Sequence, residues 1–198
     1  MRSLRLLLSL VLLALGTCSW PAPSTSATRT TPPALEPSVG SSPDGSATTL
    51  ADAMRACPVT PPNGSPPPGG GRDRFYLGRD GLWTVLWPHG LVVVPPDDIG
   101  RDGVLGMKFP WWRGPGVRGY LHITGNDVGS GVPVSARTAG YGRTGFNASA
   151  VFFPEEGCYR ITGRAGEAEL TFVTLVRTCS VLGELPREQR KRYTICGA

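Results

Sequence analysis

The chain has 198 residues, with 20 Lys and Arg against 15 Asp and Glu, a net charge of +5. No dense basic stripe appears in the part that reads as folded, which excludes nucleic-acid binding through clustered phosphate contacts. At the N-terminus, Arg2 and Arg5 precede an apolar run, Leu6 to Leu15, broken only by Ser9. The run is about half the length that spans a bilayer, so residues 1–17 read as a secretory signal rather than a membrane anchor.

Leu15-Gly16-Thr17-Cys18 resembles the bacterial lipobox, in which the Cys becomes the lipid-carrying first residue. Thr17 departs from the pattern, where Gly or Ala is usual. A rival cut follows Thr25-Ser26-Ala27. Lipidation at Cys18 is the reading favoured, because Cys18 sits directly behind the apolar run. The lipid would supply about 0.8 kcal/mol of membrane affinity per buried methylene. Residues 18–56 are dominated by Ser, Thr, Pro and Ala. Such a segment buries too little apolar surface to offset its ordering entropy, and it reads as a disordered tether.

From residue 57 the texture changes, and 57–178 reads as one domain. Gly81 to Trp87 alternates, with Trp83, Val85 and Trp87 on one face. Pro88-His89-Gly90 breaks it and Leu91 to Val94 resumes, which predicts a hairpin. Further strands are predicted at Gly103 to Phe109, Tyr120 to Thr124 and Val132 to Thr138. Phe146, Ala148, Ala150 and Phe152 then alternate with Asn147 and Ser149. Tyr159 and Ile161 share one face, and Leu170, Phe172, Thr174 and Val176 another. Short strands at this spacing predict an all-β, immunoglobulin-like antiparallel sandwich rather than a closed barrel. The corner Phe153-Pro154-Glu155-Glu156-Gly157, followed by Cys158-Tyr159, fits that fold, because a Tyr opening the sixth strand closes the corner through its hydroxyl. Residues 179–198 read as a short basic tail, with Arg187, Arg190, Lys191 and Arg192 solvated.

Five Cys are present, at 18, 57, 158, 179 and 196. Set Cys18 aside and the remaining four allow three connectivities. Several motifs resemble a group of uncharacterised bacterial secreted proteins and lipoproteins. They are Cys57-Pro58-Val59-Thr60 with Asn63-Gly64, Leu105 to Gly114 (LGMKFPWWRG), Gly140 to Phe146, Phe153-Pro154 with Gly157 to Arg164, and Leu170 to Val173. In that group the residue after the Gly-Cys is commonly Trp, where this chain has Tyr159. The resemblance covers about residues 57–176 and implies a Cys57–Cys158 bridge. Cys179 and Cys196 look like additions that close the tail on itself. No activity comes with the resemblance.

The chemistry-bearing motifs are sparse. Gly140 to Gly145 spells GxGxxG, but a strand pattern follows where a dinucleotide site needs a helix, so it reads as a glycine-rich loop and no cofactor is expected. His89 and His122 are the only histidines. One sits in a turn and the other on the outer face of a strand, and no GxSxG elbow accompanies them. The carboxylates from Asp97 to Asp102 read as an Asx-stabilised turn, because Lys108 stands where a calcium loop needs its Glu. No metal site is expected. Glu155 and Glu156 read as surface charges on a turn.

Phe109-Pro110-Trp111-Trp112-Arg113-Gly114 is the strongest functional candidate. Adjacent Trp residues on a strand face opposite ways, so one is expected in the core and the other outside. The candidate ligand-binding set is Trp111, Trp112, Arg113, Tyr120 and Tyr141, for a sugar or another protein. The expectation is thus a non-catalytic cell-envelope module, held at the membrane by a lipid anchor and touching a surface protein or glycan. A carbohydrate- or small-ligand-binding module is the alternative, and a hydrolase with an unusual site ranks below both.

Overall fold

A computed structural model describes residues 49–71, 75–140 and 144–196. The signal, Cys18 and most of the tether lie outside them. Order begins earlier than the composition suggests. Thr49 caps a helix, α1 (Leu50–Ala56), accepting a hydrogen bond from Asp52 N at 3.2 Å. Ala51, Ala53 and Ala56 favour the helix, and the Glu184 carboxylate accepts from Leu50 N at its positive end, at 2.6 Å.

Among the described residues nine strands follow: β1 (Tyr76–Arg79), β2 (Leu82–Val85), β3 (Leu91–Val94), β4 (Leu105–Arg113), β5 (His122–Asp127), β6 (Ser135–Gly140), β7 (Gly145–Phe153), β8 (Gly157–Ala165) and β9 (Ala168–Thr178). They form two sheets, ordered β1-β2-β4-β7-β6 and β3-β9-β8-β5. The core between them takes Leu82, Phe109, Trp111, Val151 and Phe153 from one side and Val92, Tyr159, Ile161, Phe172 and Val176 from the other. The run β2-β4-β7-β6 opposite β9-β8-β5 is the immunoglobulin order of four strands facing three. The predicted corner is present: Tyr159 Oη donates to the Glu155 carbonyl at 2.9 Å.

The structure corrects one local expectation and fixes the inward face of two strands whose alternation was expected. First, β2 and β3 form no hairpin. His89 (φ 56) and Gly90 (φ 68) carry the chain from one sheet to the other, where β3 runs parallel to β9, with Leu91 opposite Leu175. The hairpin in this region is β1–β2, closed by Asp80 and Gly81, both at positive φ. Second, the inward face of β2 carries Leu82 and Thr84, with Trp83 and Val85 outside. Third, on β7 the inward residues are Asn147, Ser149, Val151 and Phe153. Ser149 satisfies its buried hydroxyl by donating to the Phe109 carbonyl at 2.8 Å, and Asn147 Nδ2 donates to Gly145 O at 2.8 Å.

The domain limits also move. Residues 179–196 are not a solvated tail. Val181, Leu185 and Tyr193 are buried with Leu50, Ala53, Leu91, Val93 and Leu175 in a second core on the outer face of the four-stranded sheet. This is why all four residues of β3 are buried: Val92 and Val94 face the main core while Leu91 and Val93 face the second. Two disulfides, Cys57–Cys158 and Cys179–Cys196, hold the cover in place. They follow the connectivity that the resemblance implies, and they mark an extracytoplasmic protein. No helix among the described residues is long and apolar enough to cross a membrane.

Candidate binding face

The outer faces of the two sheets are treated differently. One is built over by α1, the Cys57 segment and the C-terminal turns. The other, on the five-stranded sheet, has no buried outward residue on its central strands β4 and β7. Register explains what it displays. Trp112 pairs with Trp83 on β2 and with Phe146 on β7, so the three rings lie in one row across the sheet. The next row runs through Pro110 and Ala148 to Ala139, and the next through Lys108 and Ala150 to Arg137. Tyr76 on β1 meets Trp112 edge-on at 5.7 Å between centroids, and Phe146 meets its other side at 5.5 Å. Phe146 keeps 43% of its surface exposed. Arg137 lies over the Phe152 ring at 5.4 Å.

Trp83 sits over glycines. A Cβ on Gly78 would overlap its ring, and one on Gly114 would approach it at 3.2 Å. The aromatic row is therefore seated by two positions that have no side chain.

A groove of about 710 Å³ opens beside this row, where the outer face meets Trp87 and Pro88. Its walls include Phe75, Val85, Trp87 and Pro110, and Lys108 and Arg192 stand on its rim. The backbone that carries Arg192 is fixed by its neighbour. Tyr193 Oη donates towards the carbonyls of Pro88 and Leu91, 3.3 Å from each. Burial pushes the Tyr193 hydroxyl up to about 12, against the opposing pull of the Arg192 charge. The phenol therefore stays protonated and keeps donating.

The expected site residues separate. Trp111 is fully buried in the main core, tilted against Phe172 at 6.1 Å, and offers no ring to a ligand. Arg113 is also inward, 3% exposed, and donates to the Gly119 carbonyl. Strand alternation places it on the Trp111 side, so it serves the crossover after β4 rather than a ligand. Trp112 is the outward member of the pair. Tyr120 is exposed but stands on the β4–β5 connection, leading to the edge of the other sheet. Tyr141 lies outside the described residues. Trp83, Tyr76, Phe146 and Lys108 join the face without having been expected there. Their signal is the alternation in 146–152 combined with the Trp83–Trp112 pairing, which no single strand reveals.

Elsewhere, Glu156 is more than a surface charge. Its carboxylate accepts from Thr178 N and Oγ1 at 2.7 and 2.6 Å and from Arg177 at 3.1 Å. Partial burial pushes this carboxyl up, and the Thr178 and Arg177 contacts outweigh it, so the group lies below its ordinary value. Asp127 is treated alike: partial burial raises it, and the bonds from Ser130 and Gly129 lower it further. His89 and His122 are exposed on separate elements, and among the described residues no group of three His, Cys, Asp or Glu is placed to hold a metal.

No protein-family model, curated protein or solved structure matches the chain.

Proposed function

We propose that this is an exported, lipid-anchored envelope protein whose sandwich is a non-catalytic interaction module, and that it binds through the outer face of the five-stranded sheet. One observation carries the reading: the opposite sheet is built over and bolted by two disulfides, while this one presents Trp112 and Phe146 beside a groove. Outward aromatic rings on a sheet, with Phe146 exposed and Trp112 half-buried beside it, are a low-entropy way to bind, because the rings lose little freedom on contact. The partner is a cell-surface protein or glycan. The anchor rests on Leu15 to Cys18, and labelled palmitate should enter the wild type and not Cys18→Ala.

A photo-crosslinking residue at Ala148 tests the face in living cells, with one at Thr171 on β9 as the control. A discrete adduct from Ala148 alone supports the reading. No adduct from Ala148, or equal adducts from both, overturns it. A second reading, a small-ligand site, is favoured by the groove itself, whose about 710 Å³ falls within the roughly 300–1,000 Å³ of small-molecule pockets.

A further inference from the structure

We infer that the groove beside Trp87 is a site for an anionic amphiphile, a molecule with an aliphatic body and one carboxylate head, in the class of a monomeric long-chain fatty acid. The inference rests on the small-ligand reading of the groove given above and names that ligand.

The walls come first. Phe75, Val85, Trp87 and Pro110 supply aromatic and aliphatic surface and few hydrogen-bonding groups. A sugar needs polar partners for its hydroxyls, and burying those hydroxyls without partners is costly. An alkyl chain needs none, and gains from every methylene it removes from water. The volume, about 710 Å³, suits one chain rather than a protein surface.

The rim selects the head. Lys108 and Arg192 both line the groove and come from distant stretches of the chain, one on β4 and the other from the C-terminal cover. Among the described residues, neither forms an ion pair. Asp98 also lines the groove, so the three charges leave a net of +1, enough for a single carboxylate. The backbone at Arg192 is anchored through the Tyr193 hydroxyl on Pro88 and Leu91, and the Cys179–Cys196 bridge closes the segment that carries it. A cation whose backbone is already fixed costs less to bring to a ligand than one on a free chain end.

Isothermal titration calorimetry on the full chain carrying Cys18→Ser tests this. The probes are dodecanoate, dodecyltrimethylammonium and dodecyl maltoside, each below its micelle concentration. Dodecanoate should bind saturably with a stoichiometry of one, and the cationic and neutral probes should bind far more weakly. Lys108→Met with Arg192→Met should weaken dodecanoate about tenfold, the combined worth of two partly exposed charges. Asp98→Asn should tighten it by about twofold to threefold, the worth of relieving one exposed like charge. All three positions are surface groups, and circular dichroism identical to wild type confirms that the variants fold. Equal binding of the three probes, or no binding of any, overturns the inference. So does flotation with anionic phosphatidylglycerol vesicles in the absence of monomer binding, because the cations would then be reading a membrane surface. Crosslinking from Ala148 without dodecanoate binding would leave the interaction face standing and remove only the groove's ligand.

Discussion

The Cys57–Cys158 bridge gives the sharpest quantitative expectation. It spans 101 residues, whereas Cys179–Cys196 spans 17. If a crosslink acts by restricting the unfolded chain, its worth grows with the logarithm of the loop. The longer bridge then contributes about 4.7 kcal/mol at 25 °C and the shorter about 3.1 kcal/mol. Replacing each pair by Ala in the Cys18→Ser protein should therefore cost unequal amounts, with a gap of about 1.6 kcal/mol. Cys57 is buried, so its truncation adds a small packing loss that widens the gap. Urea titration followed by fluorescence measures both midpoint and slope. The slope should rise in each variant, because the unfolded chain expands once the tie is gone. Loss of the long bridge costing no more than loss of the short one, with unchanged slopes, would refute the entropic account. It would mean instead that the contacts of the cover dominate.

Three further expectations follow from single contacts. Tyr159→Phe removes the corner hydrogen bond and should cost about 1 kcal/mol, a fall of roughly 2–4 °C in melting temperature; an unchanged melt would mean that the corner hydroxyl contributes nothing. Gly163→Ala drives a methyl into the Trp111 ring, and overpacking at so rigid a site should cost about 1–3 kcal/mol by chemical denaturation. The Glu156 carboxyl is lower in the folded than in the unfolded chain, so its contribution is complete above its ordinary 4.5 and lost as pH falls through the folded value. Glu156→Gln should thus differ from wild type in thermal melts at neutral pH and converge with it in acid.

Much of the architecture was readable because it depends on period and punctuation. The alternation at Leu170, Phe172, Thr174 and Val176 marked the inner face of β9 correctly, and the Pro154 to Tyr159 corner carried its own chemistry. Which face of a strand turns inward was less readable where both sides are apolar. On β7, Phe146 and Phe152 look more like core than Asn147 and Ser149 do. The order is reversed because Val151 and Phe153 face the opposite sheet, and the polar pair is satisfied locally by Phe109 and Gly145 carbonyls. The Asp80-Gly81 dipeptide was an available hairpin signal. The second core was hidden because its apolar residues, among them Leu50, Val181, Leu185 and Tyr193, are scattered through segments whose composition reads as linker or charged tail. The candidate face was half legible: two adjacent Trp implied one outward ring, but only the pairing of three strands identifies Trp112 and supplies its neighbours.

The position of Cys57 has a mechanical consequence. Tension arriving along the chain from the N-terminal side of Leu50 passes α1 and reaches Cys158 through a covalent bond. Cys158 lies on β8, flanked by β5 and β9. The pull therefore enters the middle of a sheet and bypasses the edge strand β1, where backbone bonds would break in succession, as a zip opens. A domain gripped in this way meets a pull on its N-terminal segment with the hydrogen bonds of two flanking strands loaded together.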